Sequence, residues 1–167
     1  MSYAWGLRLI TALVLLMWAA ACGGGVKTKT QVPKHVPLVG ASRTSPKFSI
    51  QVVVANGANQ DSPIQMDFVA VADKNLLADV ERLPAKDWFE RRVQMQRDYA
   101  ATIQVVSWEW VPGQHAGPIS LDISSKTLAA FLFANYSNGG EHRVSVDLRT
   151  PVVVTLGLED FSLQQLK

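Results

Sequence analysis

From Lys47 onward the chain alternates between apolar and polar positions. Phe48, Ile50, Val52 and Val54 are interleaved with Ser49, Gln51 and Val53, which predicts a strand with one buried face. Residues 55–62 are polar and turn-forming, and Pro63 suits the start of a strand but not its middle. A second strand follows, with Ile64, Met66, Phe68 and Ala70 on one face and Gln65, Asp67 and Val69 on the other. The period then changes. Asp73 fits an N-cap, Leu76, Leu77, Val80 and Leu83 share a helical face, and Pro84 interrupts it. A second helix over about 85–97 offers Trp88, Phe89, Val93 and Met95 for burial, with Asp87 and Arg91 spaced to pair on its surface. Together these form a helical insert at about 74–97.

Alternation resumes at residues 102–110, with Ile103, Val105, Ser107 and Glu109 on one face and Gln104, Val106, Trp108 and Trp110 on the other. Residues 111–118 read as a Pro/Gly turn, and Ile119, Leu121 and Ile123 as a further strand. Residues 128–136 are almost continuously apolar, as a central strand should be. Ser137-Asn138-Gly139-Gly140 is a hairpin turn signal. Strands at 143–149 and 151–158 complete the domain. Seven short strands separated by turns predict a mostly β fold, an antiparallel β-sandwich with a small helical insertion after the second strand.

The first 46 residues do not share this pattern. A single charged side chain, Arg8, precedes an apolar run at residues 9–18, which ends in Ala19-Ala20-Ala21-Cys22. The run is shorter than the ~20 residues a spanning helix needs. A basic start, a short apolar core and a small-residue cleavage site predict a signal peptide over residues 1–21. Ala-Ala-Ala-Cys resembles a bacterial lipobox, although Ala19 stands where Leu is usual. That resemblance implies cleavage before Cys22, with a diacylglycerol on its thiol and an acyl chain on its new amine. Cys22 is the only cysteine of the chain. In an oxidising compartment it has no disulfide partner, and lipidation explains its position. Gly23, rather than Asp, follows it. By resemblance to the bacterial sorting rule, this points to the outer membrane, lipid-anchored and facing the periplasm. Residues 22–46, rich in Gly, Lys, Thr, Pro and Ser, read as a flexible tether, with His35 solvated in it, and residues 47–167 as one domain.

Charge and chemistry narrow the function. Without Arg8, the 16 basic side chains become 15 against 14 acidic ones, so the expected mature chain carries +1. No basic field recommends a nucleic-acid partner. The sequence contains no GxSxG, HExxH, phosphate loop or GxGxxG after a strand. His115 and His142 fall in separate turns, away from clustered carboxylates, which argues against a metal site. No catalytic residue and no cofactor beyond the lipid on Cys22 is expected, and the chain does not read as an enzyme. Trp108-Glu109-Trp110 is either one packed strand face or a stacking platform for a small ligand or peptidoglycan. The 55–62 loop is longer than a tight hairpin and offers Asn56, Gly57, Ala58, Asn59, Gln60 and Asp61 on a rigid support, as binding loops do.

This order of parts resembles the TssJ-type lipoproteins of bacterial type VI secretion systems. The resemblance rests on the lipobox and tether, the Asn/Asp/Gly-rich loop after the first strand, and Ser62-Pro63-Ile64-Gln65-Met66-Asp67-Phe68. It continues through the helical insert, Pro112-Gly113-Gln114 and the aromatic-rich Phe131-Leu132-Phe133-Ala134-Asn135-Tyr136. Val71, Asp87-Trp88-Phe89 and Trp108-Glu109-Trp110 depart from the pattern. The resemblance implies a transthyretin-like sandwich and a structural role. A lipoprotein of this type binds the periplasmic domain of a large inner-membrane protein, TssM, and ties the secretion machine to the outer membrane. It places docking on the loop between the first two strands, here residues 56–61.

Overall fold

The computed structural model describes residues 47–166. The expected signal peptide, Cys22 and the tether lie outside the described residues. Among the described residues, no helix is long and apolar enough to cross a membrane. The elements run β1 (Lys47–Val54), β2 (Ile64–Val71), α1 (Lys74–Val80), α2 (Ala85–Asp98), β3 (Ile103–Trp110), β4 (His115–Asp122), β5 (Ala129–Asn135), β6 (Arg143–Val146), β7 (Val152–Leu156) and β8 (Phe161–Gln165).

Two four-stranded sheets face one another, in the orders β4-β1-β7-β8 and β3-β2-β5-β6. The β-sandwich with its helical insert is therefore as the sequence predicts. Two details differ. The first sheet is mixed rather than antiparallel, because β1 and β7 run parallel. Alternation marks which face a residue takes, but not which way its strand runs. The parallel register sets Ile50, Val52 and Val54 beside Val152, Val154 and Leu156, so all six fill the same face. Among the described residues there are also eight strands, not seven. β8 carries only Phe161 and Leu163 as half-buried apolar residues and sits at a sheet edge, so its pattern is weak. β4 begins at His115, inside the expected turn. It tolerates Pro118 because it too is an edge strand.

The second sheet is buried on both faces, which explains the continuous apolar run of β5. Ala130, Leu132 and Ala134 meet Phe48, Ile50, Met66 and Phe68 in the core between the sheets. Phe131 and Phe133 turn the other way and lie under the helices, with Val69, Val71, Leu76, Val80 and Trp88. Asp73 caps α1 as expected, accepting hydrogen bonds from the backbone N–H of Asn75 and Leu76 at 2.9 Å. Trp88 is fully buried and stacks on Phe133 at 5.1 Å between ring centroids. Val93, expected on the buried side of α2, is 55% exposed. It lies five residues beyond Trp88, about 140° round the helix. Arg91 does not pair with Asp87 among the described residues. The ion pair of this helix comes from Arg92 instead, 3.0 Å from Asp67.

Asp67 occupies what alternation marks as the polar face of β2, yet it is completely buried. Trp88 Nε1 donates to its Oδ2 at 2.9 Å, and Arg92 donates to both carboxylate oxygens at 3.0 Å. This buried network fastens α2 to the centre of the second sheet.

Candidate functional site

β1 enters the domain at Lys47 and delivers the chain to the opposite end of the sandwich at Val54. Eight residues at the rise of a strand separate these ends by about 25 Å. Four connections meet at the far pole: the 55–63 loop, the 111–114 turn, the 136–142 turn and the 157–160 turn.

Hydrogen bonds tie all four together. The backbone N–H of Val54 donates to Gln114 O at 2.8 Å, and that of Gly113 to Val54 O at 3.2 Å. A side chain on Gly113 would come within 2.9 Å of Asn56 Oδ1, so glycine permits the close approach of turn and loop there. The N–H of Asn59 donates to Gly157 O at 3.2 Å. The Asn59 side chain accepts from the N–H and hydroxyl of Ser137, at 2.8 and 2.9 Å, and donates to Pro63 O at 3.1 Å. Asn138 donates to Glu159 O at 3.0 Å, and His142 Nδ1 lies 3.0 Å from Asp160.

The 55–62 loop has an unusual backbone. Gly57 has φ 77°, and Asn59, Gln60 and Asp61 follow with φ of 48°, 56° and 61°. Three consecutive non-glycine residues in the left-handed region oppose the normal chiral preference, at a cost of about 1–2 kcal/mol each, least for Asn and Asp. Such a path persists only where surrounding contacts impose it. Ala58 and Asn59 are those contacts: both are buried and point into the domain. Asn56, Gln60 and Asp61 face solvent, and Gly57 is half-buried. The six candidate residues thus divide into an exposed set and a buried pair that shapes it.

The remaining candidates separate. Trp108 and Trp110 stack on each other at 6.2 Å, and both pack on the core between the sheets. The hollow bordered by Trp108, about 220 Å³, is otherwise lined by the polar residues Gln65, Arg92, Ser107 and Glu109. It is not the apolar cleft a stacking platform would need. His115 lies on β4 in the first sheet, whereas His142 precedes β6 in the second. The His142 ring is buried against Tyr136, with Nε2 3.3 Å from Asn138 O. Its two nitrogens are thus engaged in holding turns together. Burial pushes the Tyr136 phenol above its ordinary range, so it stays a neutral hydroxyl. No group of three metal-ligating side chains gathers among the described residues.

Against solved structures, the fold has clear counterparts. The lipoprotein TssJ1 of the type VI secretion system of Pseudomonas aeruginosa superposes with a TM-score of 0.57 at 13% identity, covering 74% of this chain and 98% of that one. The chain has the TssJ fold. Lip from Serratia marcescens, a membrane-bound component of the same type of system, gives a TM-score of 0.58 at 12% identity, over 74% and 99% of the two chains. A chain in the structure of the TssM C-terminal domain from EAEC gives 0.55 at 10% identity, over 72% and 98%. No protein-family model and no curated protein matches the sequence. At these identities the likeness to TssJ lives in the backbone.

Sequence reasoning finds the loop but not the side chains that shape it. The Asn59–Ser137 bridge spans 78 residues, and only the tolerance of asparagine for a left-handed backbone hints at it.

Proposed function

We propose that this chain is a lipid-anchored structural component of a type VI secretion membrane complex. On this reading Cys22 holds it to the periplasmic face of the outer membrane, and the exposed side of residues 56–61 binds the periplasmic domain of a TssM-like inner-membrane protein. The reading needs no catalytic residue and no cofactor other than the lipid. One observation carries it: β1 puts its own start at Lys47, the first described residue, and the built, inwardly braced loop at opposite poles of one rigid sandwich. That is the arrangement a tether between two membranes requires. The TssJ fold supports the choice of system, and the TssM structure among its neighbours supports the choice of partner.

The test replaces residues 56–61 with a short glycine-serine link and measures capture of the TssM-like periplasmic domain by the folded variant. Loss of capture with an unchanged circular dichroism spectrum is expected. Capture at wild-type affinity would show that docking lies elsewhere. A second measurement addresses the anchor. Cys22→Ser should abolish labelling by a fatty-acid probe and stop secretion, while the soluble domain still binds its partner. Full secretion by a variant that takes up no label would make the anchor dispensable.

A further inference from the structure

Two large apolar side chains stand exposed at the loop pole: Val111, 49% exposed, and Leu158, 58% exposed. They flank the 55–62 loop from opposite sides. Val111 opens the turn whose Gly113 meets Val54, and Leu158 follows Gly157, the acceptor for Asn59 N–H. Neither position is imposed by packing. Val111 at the start of its turn and Leu158 within the next are both in connections, where a polar residue would satisfy the fold equally well.

The formal charges within the four connections are of one sign, with Lys86 of α2 beside the 136–142 turn. The four connections contain Asp61, Glu141, Glu159 and Asp160, and no Lys or Arg. Glu141 is 3.6 Å from Arg143 and Asp160 is engaged by His142. Asp61 and Glu159 have no ion-pair partner among the described residues, and both are exposed. Apolar side chains bordered by uncompensated carboxylates match a partner surface with apolar sockets and a rim of Lys or Arg.

Resting on the docking reading above, we infer that the docking face is wider than the 55–62 loop. It takes in Val111 and Leu158 as apolar anchors, and it receives a basic protein surface steered by Asp61 and Glu159. The apolar side chains would set the lifetime of the complex, since well-packed central anchors dominate dissociation. The carboxylates would set its rate of formation, since rim charges act chiefly on encounter.

The experiment measures association and dissociation rates for the TssM-like periplasmic domain at low and high salt. It compares the wild-type chain, Leu158→Ser, Val111→Ser, the double charge reversal Asp61→Lys with Glu159→Lys, and the loop replacement. All substituted positions are exposed, and circular dichroism confirms folding. Leu158→Ser should raise the dissociation rate about tenfold or more, and Val111→Ser should raise it by a smaller factor. The wild-type association rate should fall with added salt, and the charge reversal should lower it about tenfold at low salt. Wild-type kinetics in Leu158→Ser, with binding lost in the loop replacement, would confine docking to the loop and overturn the wider face. An association rate indifferent to salt, or raised by the charge reversal, would overturn the basic partner surface. Wild-type binding by the loop replacement, or no binding by the wild-type chain, would overturn the docking reading itself.

Discussion

Asp67→Ala should lower the free energy of unfolding by about 3–5 kcal/mol, seen as a large fall in the urea midpoint with little change in slope. Asp67 is fully buried at the centre of the second sheet and accepts from Trp88 Nε1 and from Arg92. Removing its carboxylate leaves the indole N–H without a partner in a dry environment. It also opens space under α2 and releases Arg92 toward solvent. Arg92 is about a quarter exposed, so it escapes more cheaply than the tryptophan does. The reverse change, Arg92→Ala, leaves the carboxylate buried with a single donor and should also destabilise. Because the pair acts as a unit, the double variant should cost clearly less than the two single changes added together. Additive losses, or a cost for Asp67→Ala below about 1 kcal/mol, would mean that α2 is held by apolar packing alone.

Asn59→Ala should cost about 2–4 kcal/mol, and its effect should reach the partner. The substitution strands the Ser137 N–H and the Pro63 carbonyl, each at about 1–3 kcal/mol if it stays buried. It also puts alanine at φ 48°, where asparagine is far better tolerated. Since Gln60 and Asp61 follow in the same left-handed run, loss of the brace should let the exposed side of the loop relax. Hydrogen exchange of residues 56–62 should then rise while the strands stay protected. On the proposed docking, affinity for the TssM-like domain should drop even though Asn59 itself is buried. Asn59→Asp separates the two sets of contacts: it retains the acceptor contacts to Ser137 but sets a carboxylate oxygen against Pro63 O in place of a donor, so it should keep only part of the loop order. If Asn59→Ala binds normally while exchange in the loop rises, loop shape is irrelevant to docking.

The two strong strands, the capped first helix and the place of the loop are legible in the sequence because each depends on local periodicity or local turn chemistry. What escapes it is long-range. Asp67 reads as solvent-facing because period-two alternation assigns faces without saying what covers them, and the cover is a helix that begins nearly twenty residues later. Val69 and Val71 already break the polar face of β2, and that is the available hint that something packs there. The parallel partnership of β1 and β7 is invisible for a similar reason, since direction and neighbour are properties of topology. Within the candidate loop, composition names the residues but cannot sort them. Asn56 and Asn59 are the same residue type three positions apart. One faces solvent and the other is the brace, and only the contact with Ser137 tells them apart.

The placement of β1 has a mechanical consequence. A pull between the segment ahead of Lys47 and a partner held at the 55–62 loop runs along the axis of this strand. β1 is interior to its sheet, bonded to β4 on one side and to β7 on the other. Its ladder bonds lie across the direction of pull, so the load is shared along both ladders in shear and does not unzip them one bond at a time. On the proposed function, force transmitted between two membranes would therefore meet the domain along its most resistant direction.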